Sequence, residues 1–420
     1  MSIAASSSIV IALFIILLVL KFPIYIAILI PSLFLQVFVN GMSPANIIVG
    51  MYEGIARNSL LAIPFFLFAG SIMGNTSLGK RLMDLFDVML QPFRAGLALG
   101  CLTANAFFGA ISGSSAATTA TFLKIAHTPL KERYDDKLAT GLITTASSLS
   151  IILPPSIGMI LFAMAAEISV TELFLTGIGP AALIVFIIWS YLSFRYRKMP
   201  KRPRPKAADV FKVSIRAIPI LVLPIIIFGG IYSGFFTPTE AAAVSVAYAL
   251  ICGVFFLKDI NGKQLIKILK EATKISSQVF MIVAAGTVFA QAITIAQYHV
   301  AIVNVLSNVG IVGFLIILNV LLLFFGSFLD GASKILILTP LVLPSAMALG
   351  IDPFHIGILF IINIGISTFT PPFGLDIFVA QSVLGVSVGR VTRSVFPFLI
   401  CYLLLLLLVT FVPQIALFLI

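Results

Sequence analysis

Three groups of residues in this chain have the types and spacing for ion chemistry. The first is GAISGSSAATTA, residues 109–120, rich in small residues and hydroxyls. Glycines such as Gly113 let the backbone turn tightly, and carbonyls freed at such a turn coordinate Na+. The hydroxyls of Ser112, Ser114 and Ser115 complete such a shell or donate to a carboxylate. A half-helix starting after the turn offers unpaired N–H groups and a positive dipole end to an anion. The second group is the doublets Pro154-Pro155 and Pro371-Pro372. Proline removes a backbone donor and blocks the helix, so the carbonyls just before them, at Leu153 and Thr370, are left for an ion. The third group is charged. Asp330 and Lys334 stand one helical turn apart in apolar sequence, and Asp376 follows the second doublet. Ionisable residues inside spans default to function. Asp330 is a candidate cation ligand. Lys334 neutralises Asp330, contacts an anionic solute, or does both. Structural readings stand beside these: small residues let helices pack closely, and Asp330–Lys334 also works as a self-contained ion pair.

The elements that must position these residues lie in lipid. Of the 420 residues, 60% are hydrophobic and only 10% are charged, against about 25% charged in soluble domains. A span needs about 20 mainly apolar residues, and runs such as 9–20, 315–325 and 403–412 carry no charge. The first run has no basic segment before it and no small-residue cleavage pattern after it, so it reads as a retained span. Non-helical backbone at membrane depth survives only where protein buries it or water lines it. Turns and breaks inside these runs therefore mark a site.

Net charge is +11, with nine of the 26 Lys and Arg between 195 and 216 and five more between 258 and 274. Basic loops beside spans are the positive-inside pattern, which argues against nucleic-acid binding. Cys101, Cys252 and Cys401 lie far apart in apolar sequence and read as packing residues, without a disulfide or metal framework.

The polar, basic, proline-containing segment 194–216 divides the chain near its middle. Motifs recur across it. Phe107-Phe108-Gly109 returns as Phe324-Phe325-Gly326, and Pro154-Pro155 as Pro371-Pro372, both 217 residues later. Gly113-Ser114-Ser115 matches Gly331-Ala332-Ser333 at 218, and Ala69-Gly70-Ser71 matches Ala285-Gly286-Thr287 at 216. Four matches in order define an internal repeat.

Charge orients the halves. Loops carrying Lys80, Arg81 and Arg94, and then Lys124, Lys131, Arg133 and Lys137, are predicted to be cytoplasmic. The stretch between them, 95–123, is too short for two spans and too long for one at about 1.5 Å per residue. It reads as a re-entrant helical hairpin with Gly113 near its tip. Around the second hairpin, loops 296–312 and 345–355 lack Lys and Arg and are predicted to be periplasmic. The expected fold is thus an all-α polytopic membrane protein of two inverted-topology repeats. The first repeat is 1–194, with a hairpin at about 95–128 and a broken helix at 138–168. A cytoplasmic linker, 195–216, follows. The second repeat is 217–420, with a hairpin at about 311–347 and a broken helix at 354–384. The remaining spans are placed at 3–20, 23–41, 59–78, 174–194, 217–236, 240–257, 276–295 and 395–413. A short interfacial arm covers 42–58, and a basic amphipathic helix lies on the cytoplasmic surface at 258–274. Both termini are expected to be periplasmic. Glu240, beside a helix start at Thr239, reads as a capping or first-turn acid.

An intramembrane hydrolase built on Ser112-Gly113 lacks a base, because His127, His299 and His355 all fall in or near predicted loops. No zinc-ligand spacing occurs. Two hairpins suit an alternating carrier better than a continuous pore. A carrier for a small anionic solute is the favoured class, and no enzyme activity is expected.

Four segments then show a family resemblance: AIPFFLFAG (62–70), SGSSAAT (112–118), LPPSIGM (153–159) with FFTPTEAAAV (235–244), and LGIDPFHIGI (349–358) running to TPPFGLDIFVA (370–380). Across nearly its whole length the chain resembles the large membrane (M) subunit of tripartite ATP-independent periplasmic (TRAP) transporters. The resemblance implies an elevator-type carrier in the bacterial inner membrane. It would be driven by two or more Na+ ions and take up an organic acid such as a C4-dicarboxylate or sialic acid. It implies a soluble periplasmic substrate-binding protein and a small four-helix Q subunit. Some relatives fuse Q and M. No extra four-span segment occurs here, so Q is expected as a separate chain. By position, the first ion site would involve Ser112, Gly113, Ser114, Ser115, Leu153 and Pro154. The second would involve Asp330, Gly331, Ala332, Ser333, Thr370 and Pro371, with Asp376 nearby. Ser114, Ser115, Thr118, Ser156, Lys334 and Pro372 would meet the solute. The chain departs from the family in three places. Relatives usually have Asn at the position of Asp376 and a small or apolar residue at that of Lys334. They more often carry glycines where this chain has SSLSIILPP. An aspartate there is able to carry a proton, and a lysine to stand in for a cation. A binding-protein-independent dicarboxylate/Na+ symporter or ion antiporter is the alternative carrier type.

Overall fold

The structure, a computed structural model, describes residues 3–297 and 309–420, with side chains from residue 8 onward. Every regular element among them is helical. Seven helices are long and apolar enough to cross a membrane. The bent pair Pro44–Ile55 and Asn58–Gly74, at 55°, makes an eighth. Large apolar side chains cover the outside, including Val19 at 74% exposure and Phe235 at 84%. Water would penalise that surface by about 25 cal/mol per Å2, whereas lipid accepts it.

The same order of elements occurs twice. A hairpin of Gly96–Ser112 and Ser115–Arg133 precedes a broken helix, Asp136–Ala146 and Leu149–Ile152 followed by Ile157–Ala166. The long helix Val170–Arg195 comes next. Later, a hairpin of Gly310–Gly326 and Gly331–Ala348 precedes Pro353–Ser367 and Leu375–Leu384, and then Val388–Phe411. Each hairpin thus has a leading and a return arm, and each broken helix a leading and a trailing half. The Pro154-Pro155 and Pro371-Pro372 peptides are both cis.

Packing crosses between the two sets. The return arm of the first hairpin packs on the trailing half of the second broken helix. The return arm of the second hairpin packs on the trailing half of the first. The leading halves cross each other: a Cβ placed on Gly365 would sit 3.5 Å from Ile152 and 3.7 Å from the Ser148 carbonyl.

Several boundaries differ from those read in the sequence. Residues 78–90, expected as a loop from Lys80 and Arg81, form the helix Leu78–Leu90, which buries Leu78, Leu82 and Leu85 on one face. Charges on the opposite face hide that i, i+4, i+7 stripe. The surface helix 258–274 and the span 276–295 are one helix, Gly262–Ile295, because no Gly or Pro stands at the junction between them. The helix after the linker starts at Ala207, ten residues before the predicted 217. Thr237, not Thr239, caps the next helix, and Glu240 completes the capping box as a first-turn acid. His127 and His355 lie within helices, buried, rather than in loops. His299 and most of the predicted loop 296–312 lie outside the described residues.

The linker docks against the base of the first hairpin. Arg202 pairs with Asp87, Arg94 donates to the Arg197 carbonyl, and Arg133 donates to the Pro200 carbonyl. The loops read as sharing a side with the linker do meet it. All three cysteines are free and buried.

Candidate ion and solute site

The first hairpin turns where the sequence changes from apolar to hydroxyl-rich. Gly113 adopts a left-handed conformation, φ 59°, at little cost for glycine. Ser114 then caps the return arm by accepting from the Ala117 amide at 3.3 Å. The hydroxyls of Ser112 and Thr118 are 2.8 Å apart, and Thr118 donates to the Ser114 carbonyl at 2.9 Å. Ser112, Ser115 and Thr118 are buried, and Ser114 is half-buried. The tip is a closely tied set of oxygens.

At the second tip, Asp330 caps the return arm. Its Oδ1 accepts from the amides of Ala332 and Ser333 at 3.0 and 3.1 Å, and its Oδ2 accepts from the Ser333 hydroxyl at 2.5 Å. A carboxylate at a helix start satisfies orphan N–H groups and meets the positive dipole end. The Asp330–Lys334 ion pair, one of the alternatives that the spacing allows, does not form. The i, i+4 spacing brings the Lys334 amide to the Asp330 carbonyl at 3.0 Å, while the Lys334 side chain runs inward. Its Nζ donates to the Ser367 hydroxyl at 2.9 Å and to the Leu322 carbonyl at 3.5 Å. Lys334 is fully enclosed, so its ammonium faces the second broken helix rather than an open surface.

Each tip is seated on the broken helix that follows it in sequence. A Cβ on Gly109 would lie 2.9 Å from that of Ser150, and one on Gly326 would overlap the Ser367 hydroxyl. The two contacts repeat at the 217-residue offset and allow close approach of arm and helix. After the breaks, Ser156 and Gly374 begin the trailing halves without side-chain caps. Leu153 and Thr370 stand just before the proline doublets. Pro154 and Ser156 are buried, and Pro372 is exposed.

Asp376 lies in the first turn of the trailing half of the second broken helix, fully buried. Its neighbours are not those of the second tip. The hydroxyls of Ser115 and Thr119, from the first hairpin, and that of Thr368 surround its carboxylate. None makes a hydrogen bond of proper geometry to either oxygen. The crossed packing of return arm and trailing half, invisible in the sequence order, produces this change of neighbours.

Sequence reasoning gives no role at the site to Ser367, Gly109, Gly326, Thr119 or Thr368. The repeat that pairs Gly109 with Gly326 also pairs Ser150 with Ser367, and that second match is the signal that could have found the seating contact. Thr119 and Thr368 carry none, because their proximity is purely three-dimensional. Elsewhere, a cavity of about 420 Å3 is lined by Arg57, Glu167, Gln291 and Pro340 among others. Arg57 there donates to the Met164 carbonyl at 3.2 Å.

Re-entrant hairpins seated on broken helices, inside an apolar helical chain, define a multi-pass membrane protein with a transporter fold. The Alcanivorax borkumensis YdaH transporter is similar in fold, with a TM-score of 0.58 at 12% identity over 88% of each chain. Residues 11–415 match the family described as "Tripartite ATP-independent periplasmic transporter, DctM component", and the chain belongs to that family. The C4-dicarboxylate TRAP transporter large permease protein DctM of Pseudomonas aeruginosa is 36% identical over 380 residues, 89% of each chain. The ectoine/5-hydroxyectoine TRAP transporter large permease protein UehC of Ruegeria pomeroyi is 34% identical, over 96% of each. The chain is therefore the large permease of a three-part transporter, not an enzyme, and works with a small membrane subunit and a binding protein.

Proposed function

We propose that this chain is the Na+-coupled transport subunit for uptake of a small organic acid across the bacterial inner membrane. One observation carries the reading: the two broken helices cross at Gly365 and Ile152 just before their breaks, with a hairpin tip seated on each. Irregular backbone is tolerated at membrane depth only where protein buries it or it lines a watery cavity, and here hydroxyls and a carboxylate surround it. The first Na+ binds among Ser112–Ser115 and the carbonyls ahead of Pro154. The second binds among Asp330–Ser333 and the carbonyls ahead of Pro371. Oxygen-only ligands of this kind suit a hard cation. The solute carboxylate meets the return-arm N-termini through Ser114, Ser115, Thr118 and Ser156, beside Pro372. The enclosure of Lys334 limits it to a charge felt through the second tip.

The two sets of hairpin and broken helix are inverted repeats, and they move together as the elevator domain against the helices before each hairpin. The termini are periplasmic and the linker is cytoplasmic. The 36% and 34% relatives carry the names of different solutes, so the family alone does not name the solute, and in this reading the binding protein selects it. Uptake of labelled organic acids into proteoliposomes holding this chain, its small subunit and the loaded binding protein tests the reading. An inward Na+ gradient is expected to drive accumulation. Uptake indifferent to that gradient would refute Na+ coupling.

A further inference from the structure

Asp376 is the most demanding polar group among the described residues. It is 0% exposed, and neither carboxylate oxygen has a hydrogen-bond partner. Burying an unpaired carboxylate is costly, so buried charges are paired or coordinate a cation. Thr119 is also 0% exposed, and its hydroxyl has no partner either. Thr368 lies beside the carboxylate, but its hydroxyl proton is committed to the Gly365 carbonyl at 2.8 Å. Thr368 therefore presents lone pairs, not a donor, towards Asp376. Two oxygen groups turned toward each other without a shared proton are held best by a positive charge between them.

Helix packing does not require this arrangement. The pseudo-equivalent contact joins the second return arm to the first trailing half. At the same 217- and 218-residue offsets, Asp376, Thr368 and Thr119 correspond to Met159, Ile151 and Ile337. Ser115 corresponds to Ser333, so three of the four polar positions are apolar in that copy. The polar version at Asp376 is a local addition to the fold.

We infer that Asp376, Thr119, Thr368 and Ser115 form a monovalent-cation site, taking Na+, that bridges the first hairpin and the second broken helix. It is distinct from the sites at the two tips, although it borders the first through Ser115, and it rests on the Na+-coupled reading above. Carboxylate and hydroxyl oxygens are hard ligands, suited to alkali and alkaline-earth ions rather than to zinc or copper. One carboxylate balances one positive charge. A divalent ion would leave a buried net charge, whereas Na+ leaves the site neutral. Because its ligands come from two separate parts of the chain, the ion fastens the first hairpin to the second broken helix.

The test is a Na+ titration of thermal stability for the full chain purified with its small subunit, choline replacing Na+ at constant ionic strength. The wild-type melting temperature is expected to rise with Na+. Asp376→Asn is expected to need at least about tenfold more Na+ for half the effect, as loss of a charged ligand implies, and to give a shallower curve. Thr119→Val, which keeps the carboxylate and the helix, is expected to weaken binding about threefold. If Asp376→Asn does not fold, Thr119→Val and Thr368→Val carry the test. A wild type that responds to Na+ beside variants that respond identically would overturn this site alone. A wild type with no response would overturn the Na+-coupled reading together with it. Loss of pH dependence in Asp376→Asn with unchanged Na+ response would make Asp376 a proton carrier and overturn the inference.

Discussion

The Lys334 ammonium sits 2.9 Å from the Ser367 hydroxyl, joining the return arm of the second hairpin to the last turn before the second break. Ser367 in turn donates to the Asn363 carbonyl at 2.6 Å. Lys334→Met keeps the length of the stem and leaves Ser367 with that bond. Burying an ammonium without an ionic partner is costly, and an apolar side chain of similar volume removes that cost. The melting temperature of Lys334→Met in detergent is expected to match or exceed that of the wild type. Lys334→Glu places a carboxylate beside the Leu322 carbonyl and is expected to destabilise by at least about 3 kcal/mol. Equal loss in both variants would show that the ammonium itself holds the hairpin in place.

Gly326→Ala tests the seating of the second hairpin. Its new methyl group would overlap the Ser367 hydroxyl and lie 2.6 Å from Lys334 Nζ. Overpacking of this kind costs about 1–3 kcal/mol. Gly389→Ala, in the first turn of Val388–Phe411 with nothing near its Cβ, is the control, expected to be neutral or slightly stabilising. Thermal melts of the two variants side by side check the difference.

Asp330 combines capping with a proposed ion ligand, and the two roles separate by substitution. Asparagine caps helices about as well as aspartate, so Asp330→Asn is expected to fold normally while its apparent Na+ affinity in uptake falls. Asp330→Ala is expected to lose about 1 kcal/mol of stability as well. Unchanged Na+ dependence in Asp330→Asn would remove the carboxylate from the second ion site.

Ser114→Ala probes the first tip in the same way. It removes a cap held at 3.3 Å, expected to cost about 0.5–2 kcal/mol, and lowers apparent Na+ affinity in the uptake assay. A stability loss with unaltered Na+ dependence would leave Ser114 a purely structural cap.

Much of this arrangement is legible in the sequence because its signals are local. Proline doublets break helices wherever they occur, and Gly113 followed by serines turns a hairpin through a left-handed residue and an N-cap. The recurring motifs then tie the two sets together. Three-dimensional partners are not legible. Spacing puts Asp330 and Lys334 one turn apart, yet orphan amides at the helix start take the carboxylate, and the amine turns inward to Ser367. Asp376 follows the second break in sequence but meets Ser115 and Thr119 of the first hairpin, because return arms and trailing halves exchange partners. The helix Leu78–Leu90 escapes a charge-based reading because Lys80, Arg81, Asp84 and Asp87 outweigh a buried stripe of Leu78, Leu82 and Leu85.

The most direct test of ion coupling at the tips and breaks is solute-dependent 22Na+ flux. Proteoliposomes would hold this chain with its small subunit, and the binding protein would be added with and without bound organic acid. The expected result is 22Na+ entry only with loaded binding protein, at two or more ions per solute. Solute uptake without accompanying 22Na+ would contradict the assignment of Na+ to the two tips and breaks.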